Sequence, residues 1–120
     1  MRIFKIKSVA RFTKREGISD ASLADAVERA GSCLVDADLG GGLIRQRVAR
    51  AGQGTRGGFR MLIGIRAKDR AICLYGFAKS DMENIDKRQL ATLREVAAIW
   101  LACGEEKITL SVEAGLLIEV

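Results

Sequence analysis

Residues 43–66, LIRQRVARAGQGTRGGFRMLIGIR, constrain the fold of this chain more than any other stretch. Two runs flank a glycine-rich centre, and in each run polar and apolar residues alternate with the two-residue period of a strand. In the first run Leu43, Arg45, Arg47 and Ala49 share one face, and Ile44, Gln46, Val48 and Arg50 the other. In the second, about residues 58–66, Phe59, Met61, Ile63 and Ile65 share one face, and Arg60, Leu62, Gly64 and Arg66 the other. Arg45, Arg47, Arg50, Arg56, Arg60 and Arg66 all fall here, with no acidic residue between Asp38 and Asp69. The pattern predicts a hairpin with one face on a core and the other offered to an anion. A charge run is usually a solvated face, but arginines without acidic neighbours in sequence fit a phosphate-binding surface better. Guanidinium binds phosphate in a bidentate fork and stays charged. Aromatic residues nearby are few, Phe59 and Tyr75, so contact with a nucleic-acid backbone is expected rather than broad base stacking. Tyr75 itself, among apolar neighbours, reads as a core aromatic.

The segment GQGTRGGF has neither the GxxxxGK[ST] nor the GxGxxG spacing of phosphate-binding loops, and it leads into a strand rather than a helix. It reads as a hairpin turn, from which Arg56 could reach an anionic ligand.

A third run, AICLYGFAK at 71–79, follows a tight turn at KDR and is almost wholly apolar, which predicts a strand covered on both faces. Before the hairpin, RIFKIK at 2–7 suits a strand near a sheet edge. SVARFTKREG suits a short helix ending at Gly17 with Val9, Phe12 and Thr13 inward. A longer helix over about 20–34, capped by Ser19 or Asp20, turns Leu23, Val27, Ala30 and Leu34 inward. VDADLGGG then reads as turn and loop. After the third strand, SDMENID is a capping segment in which Ser80 or Asp81 can cap a first turn, with Glu83 and Asp86 placed against the helix dipole. The helix through KRQLATLREVAAIWLACG has the apolar face Leu90, Leu93, Val96, Ala97, Trp100 and Leu101, and Gly104 stops it. The tail ITLSVEAGLLIEV fits a strand or a short helical turn before an extended end. The fold class expected is α+β: strand, two helices, a three-strand antiparallel meander and a C-terminal helix, with the helices mainly on one sheet face and the arginines left on the other.

The length of 120 residues suits a single domain, 1–120. Lys and Arg number 20 against 15 Asp and Glu, a net charge of +5 that speaks to partners rather than fold. With no histidine in the chain, a Ser-His-Asp triad, a Cys-His pair and a histidine acid/base pair are excluded. Cys33, Cys73 and Cys103 are odd in number and far apart, which predicts buried apolar side chains rather than disulfides or a metal site. Arg2, Lys5 and Lys7 interrupt any apolar leader, and no stretch is long enough to span a membrane, so a cytoplasmic protein is expected.

The run GGLIRQRVARAGQGTRGGFRMLIGIR, followed by RAICLYGFAKSDMENI, resembles the RelE/ParE superfamily of bacterial toxins and looks closest to its HigB-type branch. The leading MRIFK and the closing GLLIEV extend the likeness over nearly the whole chain. The resemblance implies a RelE-like fold and the toxin of a type II toxin–antitoxin system. It further implies a ribosome-dependent mRNA endoribonuclease that needs no metal or cofactor, in which the ribose 2′-hydroxyl attacks the adjacent phosphate and leaves a cyclic phosphate. Its expected partners are then the ribosome, mRNA and a cognate antitoxin of the helix-turn-helix repressor kind, which neutralises the toxin in a common oligomer. Carried over by position, Arg45 and Arg47 face the scissile phosphate, Arg60 stabilises the transition state, and Lys79 takes the place of the terminal basic residue. Catalysis is thus assigned to Arg47, Arg60 and Lys79, and RNA binding to Arg45, Arg50, Arg56 and Arg66. The chain departs from RelE at Ile85, where RelE carries a tyrosine implicated in proton transfer, so the general base is unassigned; a lysine crowded by arginines is one candidate. Two other readings remain: a ParE-like non-nuclease that inhibits DNA gyrase, and a catalytically degenerate RNA-binding module.

Overall fold

The computed structural model describes residues 1–50, 58–66 and 69–120, and only the backbone of residues 82–84. Strand β1 (Arg2–Ile6) runs directly into helix α1 (Lys7–Glu16), followed by α2 (Asp20–Gly31). Then come β2 (Ala37–Gly40), β3 (Leu43–Val48), β4 (Phe59–Arg66) and β5 (Arg70–Ala78). A 3-10 turn (Lys79–Asn84) leads to α3 (Lys87–Ala102), α4 (Glu105–Glu113) and β6 (Leu117–Glu119). The six strands form one sheet in the order β2-β3-β4-β5-β1-β6. All neighbours are antiparallel except β1 and β5, which pair in parallel from Arg2↔Arg70 to Lys5↔Cys73.

The α+β class and the β3-β4-β5 meander agree with the sequence reading, and so does the division of faces along β3 and β4. Ile44, Val48, Met61 and Ile63 meet Val9, Leu23 and Val27 of the first two helices in one core. Leu43, Leu62, Ile72 and Leu74 meet Ala97 of α3 and Ile108 of α4 in a second. The expectation that the helices lie mainly on one face is therefore corrected. Helices α1 and α2 cover one face and α3 and α4 the other, because Leu43, Leu62 and Gly64 interrupt the arginines with a surface that the apolar stripe of α3 needs. Gly64 makes that contact close: a Cβ there would stand 3.0 Å from the Cβ of Ala97.

Two strands lie outside the expected four. The loop reading of VDADLGGG missed β2, which returns along β3 through Gly41 and Gly42 with φ of 63° and 84°. Positive φ at both central residues is what a two-residue hairpin turn of the I′ kind requires, and glycine supplies it without strain. The ambiguous tail resolves into α4 and the short β6, which pairs with β1. The second helix stops at Gly31 rather than 34, leaving Leu34 60% exposed instead of inward. At the α3–α4 junction the buried Arg70 donates to the carbonyls of Trp100 (2.9 Å) and Cys103 (2.6 Å) and to Glu105 (2.9 Å). Carbonyls at the end of α3 thus find a donor they would otherwise lack.

The order of β5 changes partway. Leu62 pairs with Tyr75 but Ile63 with Cys73, so Leu74 is an extra residue on β5. Such a bulge shifts the alternation by one, and it turns Tyr75 and Phe77 to the α3 side of the sheet. Beyond Cys73, β1 has left the sheet for α1, so among the described residues the end of β5 has no paired strand on that side.

Candidate nucleic-acid interface

The cross-strand register builds the site. Arg47 on β3 stands directly opposite Arg60 on β4, and Arg60 opposite Phe77 on β5. One row further in, Arg45 aligns with Leu62 and Leu62 with Tyr75. Arg45, Arg47 and Arg60 thus share one face at one end of the sheet. Like charges placed directly opposite cost stability, so this arrangement needs a reason other than folding. The guanidinium of Arg60 is held below its ordinary pKa first by partial burial and then by the charges of Arg47 and Arg45, with Asp36 opposing. Among the described residues its hydrogen-bond partner is the carbonyl of Phe59, 3.0 Å away. Lys79 follows the last residue of β5, its amide donating to the Gly58 carbonyl, and a Cβ on Gly58 would lie 3.9 Å from that of Lys79. It closes the same end of the sheet.

The other sequence candidates divide. Arg50 stands at this end but on the opposite face, its guanidinium 5.8 Å from the centre of the Phe59 ring. Arg56 lies outside the described residues. Arg66 ends β4 at the far side, about 20 Å from Arg60 at strand rise, where Asp69 and the carbonyl of Leu101 hold it. It does not join the cluster.

The cluster also has an acid that the sequence reading did not assign to it. Asp36, just before β2, accepts from the backbone N–H of Arg47 at 2.7 Å and from its guanidinium at 3.3 Å through each carboxylate oxygen. Arg29 of α2 lies 3.8 Å from the same carboxylate and donates to the Arg47 carbonyl. Partial burial pushes the Asp36 carboxyl up, but the hydrogen bonds from Arg47 and the charges of Arg47 and Arg29 outweigh it and hold the group below its ordinary value. Gln46, fully buried, places this segment. Its amide donates to the carbonyls of Ala26 (2.9 Å) and Leu34 (3.2 Å) and accepts from the Asp36 N–H (2.7 Å). A polar residue at an inward strand position was the available signal, since such a residue must find partners.

Tyr75 corrects a second reading. The bulge leaves it 40% exposed, its ring stacked at 5.9 Å on that of Phe77, rather than in the core. Cys73 is buried among apolar side chains, which pushes its thiol up to about 12 and favours the neutral, unreactive form. Cys33, expected to be buried, is exposed.

The sheet of this α+β fold carries a cationic end, whose field attracts anions. The chain matches the family described as the RelE toxin of the RelE/RelB toxin–antitoxin system over residues 1–120, and it belongs to that family. No curated protein matches it. Among the described residues, no helix is long and apolar enough to cross a membrane.

Proposed function

We propose that this chain is a HigB-type toxin of a type II system, a ribosome-dependent endoribonuclease that cuts messages under translation in the cytoplasm. The observation that carries this reading is the placing of Arg47 opposite Arg60, with Arg45 on the same face and Lys79 at the same end. Residues 1–120 act as one domain. In the reaction the 2′-oxygen of a ribose attacks the adjacent phosphorus and loses its proton. The bond to the 5′-oxygen breaks, that oxygen gains a proton, and the products are a cyclic phosphate and a 5′-hydroxyl. Arg47 and Arg60 hold the non-bridging oxygens as their charge grows, a contribution that does not require a metal. Arg45 and, on the other face, Arg50 extend the contact to neighbouring phosphates. Lys79, at the same end, is the candidate for proton transfer. A cognate antitoxin, in our reading a helix-turn-helix repressor, neutralises the toxin by covering the cationic end with acidic residues.

Primer extension on cellular messages after brief induction tests the proposal. Wild type should give cuts confined to translated regions, and Arg60→Ala should lower cutting by about 100-fold, the usual cost of removing one donor to a developing oxyanion. Growth arrest with intact messages would instead favour inhibition of a target such as gyrase. Neither arrest nor cleavage would leave a degenerate RNA binder.

A further inference from the structure

The described residues leave an unfilled cavity of about 320 Å³ between β5 and the first half of α3, lined by Tyr75, Ile85, Arg88, Gln89, Thr92 and Leu93. A dry cavity of about 150 Å³ is enough for benzene, so this one has room for a purine. Ile85 is shared with a smaller hollow that Arg45, Leu62 and Phe77 line, so the cavity opens beside the arginine cluster. Across the register Arg45, Leu62 and Tyr75 lie in one row, which puts Tyr75 about 10 Å from Arg45 at strand spacing.

We propose that this cavity is a nucleobase pocket, taking the base of a nucleotide whose phosphate lies on Arg45, Arg47 and Arg60. This rests on the reading of the ligand as RNA. Tyr75, Ile85 and Leu93 supply the apolar part of the lining, and a base enters with its ring against the phenol. The rim is polar where the edge of a base needs partners. Gln89 accepts from the Asp86 N–H with its amide oxygen at 3.0 Å, which fixes the amide and leaves its NH₂ without a partner among the described residues. Arg88 has none there either, and the Thr92 hydroxyl donates to the Arg88 carbonyl at 3.1 Å while its lone pairs remain to accept. The bulge at Leu74 is the second, independent observation. Regular alternation would send Tyr75 to the α1 side, and the inserted residue moves it into the row of Leu62. There, at a strand edge, it lines this cavity as well as the hollows beside Phe12 and Arg15 of α1. A purely apolar protein side chain would fill the space but would leave the polar rim unused.

Millimolar nucleoside monophosphates and ribose 5-phosphate, titrated separately at low salt into the isotope-labelled protein, separate the possibilities by amide chemical shift. Nucleotides are expected to move Tyr75, Ile85 and Leu93 together with Arg45 and Arg60, whereas ribose 5-phosphate should move the arginine strands alone. Tyr75→Ala should weaken nucleotide binding about fivefold or more, the lower end of what stacking one base contributes. Tyr75→Phe should bind as wild type, and Thr92→Trp, at an exposed helical position, should block the base-dependent shifts without disturbing the core. Equal shifts from nucleotides and ribose 5-phosphate, confined to the arginines, would overturn the pocket while leaving the phosphate site standing. A loss in Tyr75→Phe as large as in Tyr75→Ala would overturn stacking in favour of the hydroxyl. No shift from any ligand would overturn both the pocket and the RNA reading beneath it.

Discussion

Asp36 accepts hydrogen bonds from both the backbone and the guanidinium of Arg47, so its charge governs how that arginine is presented to a ligand. Its folded pKa lies below the ordinary 3.8. The stability it contributes is therefore fully present above that value, and it is lost as pH falls through the lower folded value. Both partners are partly exposed, which limits the effect. Asp36→Asn should cost about 1 kcal/mol at pH 7, the upper range for a solvent-screened pair. In urea melts the two proteins should converge below pH 3.8; a gap that stays constant down to pH 2 would show that the carboxylate's charge is not the cause. At this scale Arg45, Arg47 and Arg60 were legible because alternation alone assigns them to a face. Asp36 was not, since its approach to Arg47 depends on Gln46 tying the middle of α2 and the segment at Leu34 and Asp36 to β3.

The paired strands of the meander follow directly from the period of two, and α3 from its apolar face, but the cap of α3 is corrected. Asp86, in a capping box with Gln89, starts the helix rather than Ser80 or Asp81, because Lys79–Asn84 form a separate 3-10 turn. Strand β2 escaped because four residues, two of them half-buried, carry too little pattern, although Gly41-Gly42 is itself a hairpin signal. The bulge at Leu74 had no signal in an apolar run where any alternation looks alike. Gly76, two residues on, shows how tightly this part of β5 is packed. A Cβ there would lie 2.4 Å from the Phe12 ring of α1, which itself packs edge-on against Phe59 at 6.0 Å. The ring would have to swing out, and Gly76→Ala is expected to lower the unfolding free energy by about 1–3 kcal/mol. Chemical denaturation checks this through the midpoint, with no change in slope; an unchanged midpoint would mean that Phe12 is free to move.

For the molecule as a whole, the class was legible and the layering was not. The arginines suggested a sheet face free of helices, whereas α3 covers part of that face and leaves only the end where Arg45, Arg47 and Arg60 gather. Strand β1 pairs with residues 70–73 on one side and 117–119 on the other. In kinetic terms the sheet cannot close until segments more than sixty residues apart in sequence have met, and that search, rather than any local step, should limit refolding. The chain contains no proline, so the isomerisation phase of about 10–100 s that slows many proteins has no source here. Stopped-flow refolding at 25 °C should finish in one phase within milliseconds to seconds, and a slower phase of tens of seconds would point to a trapped intermediate. A toxin of this topology passes from unfolded chain to working fold in a single long-range step, with β1 as the latch.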